Sequence, residues 1–146
     1  MNRKEFILTC SFACVGSSSL ATLLQSCSGA IYYAQTSLIN NQIAIKKTEF
    51  VEAIEDKTIQ RSFVLIKSDK FNVPICVYKL SDEKYSALLM KCSHKGCELR
   101  PQGDYLMCPC HGSEFSNEGI VQNPPAQKNL LSFKTTSDND TLYIEI

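Results

Sequence analysis

Residues 92–97 read Cys-Ser-His-Lys-Gly-Cys, and residues 108–113 read Cys-Pro-Cys-His-Gly-Ser. The chain has eight cysteines and two histidines, and these two stretches hold both histidines and four of the cysteines. Sulfur and imidazole nitrogen are preferred ligands of zinc and of iron. A glycine in each stretch permits a tight turn. The pattern therefore predicts a metal site built by two loops from Cys92, His94, Cys108 and His111.

The sequence around these loops favours strands. Short runs rich in β-branched and aromatic residues, several of them alternating in polarity, are typical of strands. Such runs cover residues 43–50, 61–68, 71–80, 84–91, 130–135 and 141–146. The last two flank Ser137-Asp138-Asn139-Asp140, which predicts a terminal hairpin with Leu142, Ile144 and Ile146 on one face. The only helical periodicity after residue 30 is weak and covers 48–57. We therefore predict a mostly β domain, a small antiparallel sandwich or barrel with a subdomain of two metal-binding loops.

Length and charge narrow the classes of function. A chain of 146 residues has the size of one domain. It carries 15 basic and 15 acidic side chains, and this neutral balance argues against a nucleic-acid partner. Because both histidines belong to the loops, none remains for a multi-histidine active site. We assign no catalytic residue.

The N-terminal sequence is typical of an export signal. A short basic region at 1–5 precedes an uncharged, moderately apolar stretch at 6–25. The following Leu24-Gln25-Ser26-Cys27 resembles the lipobox of bacterial lipoproteins, which implies removal of residues 1–26 and lipidation of Cys27. An uncleaved anchor helix and an ordinary soluble export signal are the alternatives, since about 20 apolar residues can span a bilayer. Residues 2–8 also resemble a twin-arginine signal with Lys4 in place of the second arginine.

These features predict an exported protein on the periplasmic side of a bacterial membrane, held there by lipid. Residues 27–41 are rich in Ser, Gly, Gln and Asn and are interpreted as a tether, and residues 42–146 as the folded domain. Within the tether, Tyr32 and Tyr33 either pack on the domain or touch lipid headgroups.

The two loops closely resemble those of the Rieske iron–sulfur family. The resemblance implies one [2Fe–2S] cluster, with Cys92 and Cys108 on one iron and His94 and His111 on the other. It further implies a disulfide between Cys97 and Cys110, which suits an oxidising compartment. The sequence Asn123-Pro124-Pro125-Ala126 is similar to the proline loop that covers the cluster in this family.

Three more positions are interpreted through the resemblance as tuning the cluster. Ser113 occupies the place of a hydroxyl that bonds a bridging sulfide. Phe115 stands where quinol-oxidising members carry a tyrosine that bonds a cysteine sulfur, so we expect a potential below theirs. Lys95 stands where those members carry an apolar residue. It indicates an acidic or polar partner surface, or is a surface charge without consequence.

The function implied is one-electron transfer by a membrane-tethered protein, as the iron–sulfur subunit of a respiratory or periplasmic oxidoreductase. The implied partner is a cytochrome or a molybdenum-type oxidoreductase subunit, with quinol as a further candidate. The alternatives are a Rieske ferredoxin that serves an oxygenase and a structural zinc module with the same ligands. An oxygenase itself needs a second iron with further histidines, which the chain lacks.

Overall fold

Short strands build almost all of the regular structure in this computed structural model, which describes residues 31–54 and 57–146. The predicted signal at 1–26 and the predicted lipidation site Cys27 lie outside the described residues. The strands pair antiparallel throughout, as predicted. Residues 31–146 cluster as one unit.

Two four-stranded sheets form the base of the domain. The first has the order β1-β2-β14-β13, and the second has the order β12-β7-β6-β5. The strands of the first sheet are β1 (Thr36–Ile39), β2 (Gln42–Lys46), β13 (Thr135–Ser137) and β14 (Thr141–Glu145). Those of the second are β5 (Phe63–Ile66), β6 (Ile75–Lys79), β7 (Tyr85–Leu89) and β12 (Ser132–Phe133). A separate hairpin consists of β3 (Val51–Ile54) and β4 (Lys57–Gln60).

The second sheet is buried on both faces. Side chains alternate across a strand, so Ile75 and Val77 of β6 face one core while Cys76 and Tyr78 face another. The first core lies between the two sheets and includes Ile144 and other side chains of the first sheet. This arrangement explains why β6 is a continuous apolar run rather than an alternating one.

The opposite core joins the second sheet to the subdomain that carries the two loops. This subdomain has the strand order β11-β10-β9-β8, built from β8 (Arg100–Gln102), β9 (Tyr105–Met107), β10 (Glu114–Ser116) and β11 (Val121–Asn123). Residues 90–99 connect β7 to β8, and residues 108–113 connect β9 to β10. Buried Leu99, Leu106 and Phe115 pack against Leu88 and Tyr78 of the second sheet. The Tyr78 hydroxyl also donates a hydrogen bond to the Tyr105 carbonyl at 3.1 Å.

The predicted tether needs correction over residues 31–41, which are part of the folded unit. Ala34 N–H donates to the Leu65 carbonyl at 2.8 Å, and Leu65 N–H donates to the Tyr32 carbonyl at 2.9 Å. The Tyr32 hydroxyl donates to Glu49 at 2.8 Å, and the Tyr33 ring lies under the Lys67 ammonium at 4.9 Å. Both tyrosines therefore contact the domain. Strand β5 lies at the edge of its sheet, so its outer N–H and carbonyl groups have no partner strand. Residues 31–41 bind there because they form hydrogen bonds with these groups.

A terminal hairpin is present as predicted, but its first strand is Thr135–Ser137 rather than 130–135, because Ser132–Phe133 pairs with β7 of the second sheet. The weak helical periodicity at 48–57 was misleading. Leu142 and Ile144 are fully buried on the predicted face of β14, and Ile146 packs beside them. Lys47–Phe50 forms only a 3₁₀ turn before β3 begins. Within residues 31–54 and 57–146, we find no helix of the length and apolarity that crossing a bilayer requires.

Candidate metal centre

The first predicted metal loop is a closed turn. Cys92 N–H donates to the Cys97 carbonyl at 2.8 Å, and Gly96 N–H donates to the Cys92 carbonyl at 2.8 Å. Gly96 has a φ of 76°, a left-handed conformation that glycine adopts without strain. The main chain thus folds back within six residues and projects His94 from the middle of the turn.

The second loop repeats this main-chain pattern. Cys108 N–H donates to the Ser113 carbonyl at 2.8 Å, Gly112 N–H donates to the Cys108 carbonyl at 3.0 Å, and Gly112 has a φ of 77°. The side chains differ between the loops. The third residue is a histidine in the first loop and Cys110 in the second, and the fourth residue of the second loop is His111.

The fold brings the two predicted sulfur ligands together in the interior. Cys92 and Cys108 are 3% and 1% exposed, and neither is in a disulfide. Burial raises the pKa of the Cys92 thiol, and its hydrogen bond with Cys108 raises it further. The N–H groups of His94 and Lys95 point at the Cys92 sulfur and oppose this rise in the pKa. Two buried thiols become thiolates readily only when a cation compensates their charge.

The two histidines lie side by side. Their ring centroids are 5.0 Å apart, and the rings are nearly perpendicular at 81°. His94 Nδ1 is buried and has no hydrogen-bond partner among the described residues. An unpaired buried nitrogen is costly, and a metal bond satisfies it. The buried sulfur pair and this unpaired nitrogen fit a metal group held between the loops.

A disulfide joins the loops, as the resemblance implied. It links Cys97 to Cys110, with the two Cα atoms 6.6 Å apart. The sulfurs of Cys97, Cys108 and Cys110 lie within 4.8 Å of one another. This trio is not a ligand set, because two of its sulfurs are bonded to each other. It shows instead that the Cys108 sulfur lies beside the disulfide.

The proline segment, which we define as residues 123–129, is hydrogen-bonded to both loops. Ala126 N–H donates to Ser113 Oγ at 3.0 Å, and Ser93 Oγ donates to the Lys128 carbonyl. Pro124 and Pro125, whose mutual peptide bond is cis, are exposed on this segment. The segment therefore lies next to the loops, and that it covers a cluster stays a prediction.

The three predicted tuning residues take different positions. Ser113 is fully buried, and its oxygen accepts the bond from Ala126, so its own hydroxyl hydrogen remains available to donate. Phe115 is fully buried in β10 opposite Leu106 of β9. Lys95 is exposed.

Sequence reasoning missed the roles of Ser93, Ala126 and Lys128. Ala126 and Lys128 act through main-chain atoms, which every residue type supplies, so no residue signal marks them. Ser93 is a common residue in turns, and its partner lies 35 positions away.

A family model of the Rieske [2Fe-2S] domain matches residues 42–134. That segment is more than half of the chain, and the chain therefore belongs to the Rieske family. A Rieske domain binds one [2Fe–2S] cluster, so the predicted family, fold class and cofactor are confirmed.

Named relatives are similar over part of the chain. The chain is 36% identical over 70 residues to the ubiquinol-cytochrome c reductase iron-sulfur subunit of Rickettsia typhi, covering 46% of this chain and 38% of that one. It is 39% identical over 56 residues to the cytochrome b6-f complex iron-sulfur subunit 2 of Synechocystis, covering 36% and 31%. The match thus spans less than half the length of these curated relatives.

A solved structure supports the assignment to the Rieske family. The cyanobacterial plasma membrane Rieske protein PetC3 from Synechocystis superposes with a TM-score of 0.52 and 25% identity, covering 58% of this chain and 87% of that one.

Proposed function

We propose that this chain transfers single electrons through a [2Fe–2S] cluster, with Cys92 and Cys108 on one iron and His94 and His111 on the other. The observation that carries the proposal is that two loops joined by a disulfide hold two buried free thiols and two adjacent imidazoles, one of which has an unpaired buried nitrogen. The disulfide between Cys97 and Cys110 holds the two loops in this arrangement.

The residues set the redox character of the site. When bound, the cluster supplies a one-electron couple, and neutral imidazoles give it a higher potential than four thiolates give. His111 is exposed, so its ring provides a short path for an electron to a docked protein. Phe115 has no hydroxyl to donate to a cysteine sulfur, so we expect a potential below that of family members with tyrosine there.

We further propose that the protein works outside the cytoplasm. The predicted signal at 1–26 and the predicted lipidation of Cys27 support this, as does the disulfide, because disulfides persist in oxidising compartments. The partner is a cytochrome or a molybdenum-type oxidoreductase subunit, and the named relatives, which are subunits of cytochrome complexes, support a protein partner. The intact mass of membrane-extracted protein tests the anchor. We expect the wild type to lack residues 1–26 and to carry the mass of a lipid, whereas Cys27→Ala should keep residues 1–26 and carry no lipid.

The cluster is tested on anaerobically purified protein. We expect iron and acid-labile sulfide in equal amounts, and an electron paramagnetic resonance signal after reduction with dithionite. His94→Ala abolishes that signal, and His111→Cys abolishes or changes it. Cys76→Ala is the matched control, because Cys76 is a buried free cysteine outside the loops, and it leaves the signal intact. Zinc without sulfide in the wild-type protein would refute the proposal.

A further inference from the structure

The three segments that surround the histidines carry positive charge and no negative charge. They are residues 92–97, 108–113 and 123–129, and apart from histidine their only charged side chains are Lys95 and Lys128. Both lysines are exposed. The loops that carry the histidines and the segment bonded to them therefore expose two positive charges and no negative one.

Hydrogen bonds and packing place a third lysine beside these two. Ser93 Oγ donates to the Lys128 carbonyl, which brings Lys128 next to the loop that holds Lys95. Lys91 precedes that loop, and its Cε lies 3.2 Å from the position that a Cβ would take at Gly96. We call Lys91, Lys95 and Lys128 the lysine face.

The lysine face forms no close ion pair with the part of the chain that the structure describes. Among residues 31–54 and 57–146, none of its ammonium groups lies within 4.0 Å of a carboxylate. Glu98 stands opposite Lys91 in an isolated bridge, yet the two form no ion pair. Three lysines elsewhere do have carboxylate partners: Lys79 with Asp82, Lys84 with Glu118, and Lys134 with Glu145.

We propose that the lysine face docks an acidic surface on the protein that exchanges electrons with this one. The chain as a whole is neutral, and three lysines without close carboxylate partners at these loops form a local positive patch on it. Such a distribution orients a charged partner during encounter and raises the association rate. The inference rests on the proposed function, because it uses the nearness of the lysines to the loops whose histidines would carry the electron.

The composition of the face favours a protein over a lipid surface. Segments that bind anionic lipid through charge alone carry about four to eight lysine or arginine residues. The three segments around the histidines also contain no leucine, isoleucine, phenylalanine or methionine that would insert into a bilayer. A contact formed by three lysines and polar residues is typical of the small, charge-complementary interfaces of transient redox complexes.

The test measures electron transfer from the reduced full-length protein in detergent to two oxidised probes. The probes are cytochrome b5, which presents an acidic face, and cytochrome c, which presents a basic one. The lysine-face variant combines Lys91→Gln, Lys95→Gln and Lys128→Gln. The control variant removes the same charge elsewhere and combines Lys46→Gln, Lys57→Gln and Lys70→Gln.

At low ionic strength we expect the lysine-face variant to react about tenfold more slowly with cytochrome b5. We expect the control variant to change less than twofold, and the difference to vanish at high salt. Equal losses in both variants, or no loss in either, would overturn the proposal.

A binding readout that does not depend on electron transfer accompanies the kinetics. Carbodiimide couples lysine amines to carboxylates in contact, so cross-linked peptides with cytochrome b5 should contain Lys95 or Lys128. Vesicles of phosphatidylglycerol and phosphatidylcholine form a further arm. If the lysine-face variant loses vesicle binding relative to the control while its electron transfer is unchanged, the face contacts lipid and the proposal is wrong. Failure of the proposed function looks different, because the wild-type protein then lacks the cluster signal altogether.

Discussion

Replacing Ser113 with alanine tests how the second loop supports the cluster. The Ser113 oxygen accepts the Ala126 N–H bond at 3.0 Å, and its hydroxyl hydrogen is free to donate to cluster sulfur. The substitution removes the observed bond from Ala126 and the proposed bond to cluster sulfur from a fully buried position. We therefore expect two separable losses, one in the stability of the proline segment and one in the reduction potential.

The two magnitudes follow from the hydrogen bonds. Ala126 is 3% exposed, and an unpaired buried N–H costs about 1–3 kcal/mol of folding free energy. A hydrogen bond to sulfur stabilises the more negative, reduced cluster, so losing it lowers the potential. If the two redox states differ by about 1 kcal/mol in that bond, the midpoint falls by roughly 40 mV for one electron.

Redox titration followed by circular dichroism measures the midpoint, and chemical denaturation measures the stability. Ser93→Ala is the matched control, because its hydroxyl also makes a main-chain bond that holds the proline segment, but from the exposed side of the first loop. We expect the control to lower stability slightly and to leave the midpoint unchanged. An unchanged midpoint in Ser113→Ala, or an equal shift in both variants, would refute the assigned role of Ser113.

Further predictions concern the loops and the base. Cys97→Ser opens a cross-link with a sequence separation of 13, which stabilises the fold by about 3 kcal/mol in the chain-entropy model. The visible absorbance of the cluster should therefore decay faster on warming. An unchanged half-life would show that the disulfide is dispensable. Gly119→Ala should destabilise by about 3 kcal/mol in urea unfolding, because φ is 80° and the new Cβ would lie 2.8 Å from a Leu88 methyl. Gly103→Ala, where a Cβ meets nothing, should cost clearly less. A tyrosine hydroxyl and two main-chain N–H groups hold the pKa of Asp138 below its ordinary value of 3.8. That stabilisation is present above pH 3.8 and is lost as the pH falls through the lowered pKa, so Asp138→Asn should lose less stability on acidification than the wild type does.

The strands and the metal loops were predictable from the sequence because each has a local signal. The apolar run that contains Ile75 and Val77 predicted a strand. Its burial on both faces was not predictable, because that depends on which distant segments cover it. The two loops were recognisable because cysteine and histidine two or three positions apart, in two nearby stretches, have few roles other than metal binding.

The interactions that sequence reasoning missed depend on main-chain atoms. Ala34 and Tyr32 bind β5 through N–H and carbonyl groups, so a segment of tether-like composition becomes part of the fold. Ala126 likewise contributes an N–H group, and its apolar side chain gives no sign of this bond.

The two loops share one main-chain conformation but carry different side chains at corresponding positions. In each, a cysteine N–H bonds the carbonyl five residues on, and a left-handed glycine closes the turn. The difference between the donor sets of the two loops therefore comes from their side chains alone, because their main-chain hydrogen bonds are the same. Exchanging a sulfur donor for a nitrogen donor would therefore require a change of side chain within a turn, without a change in its hydrogen-bonded main chain.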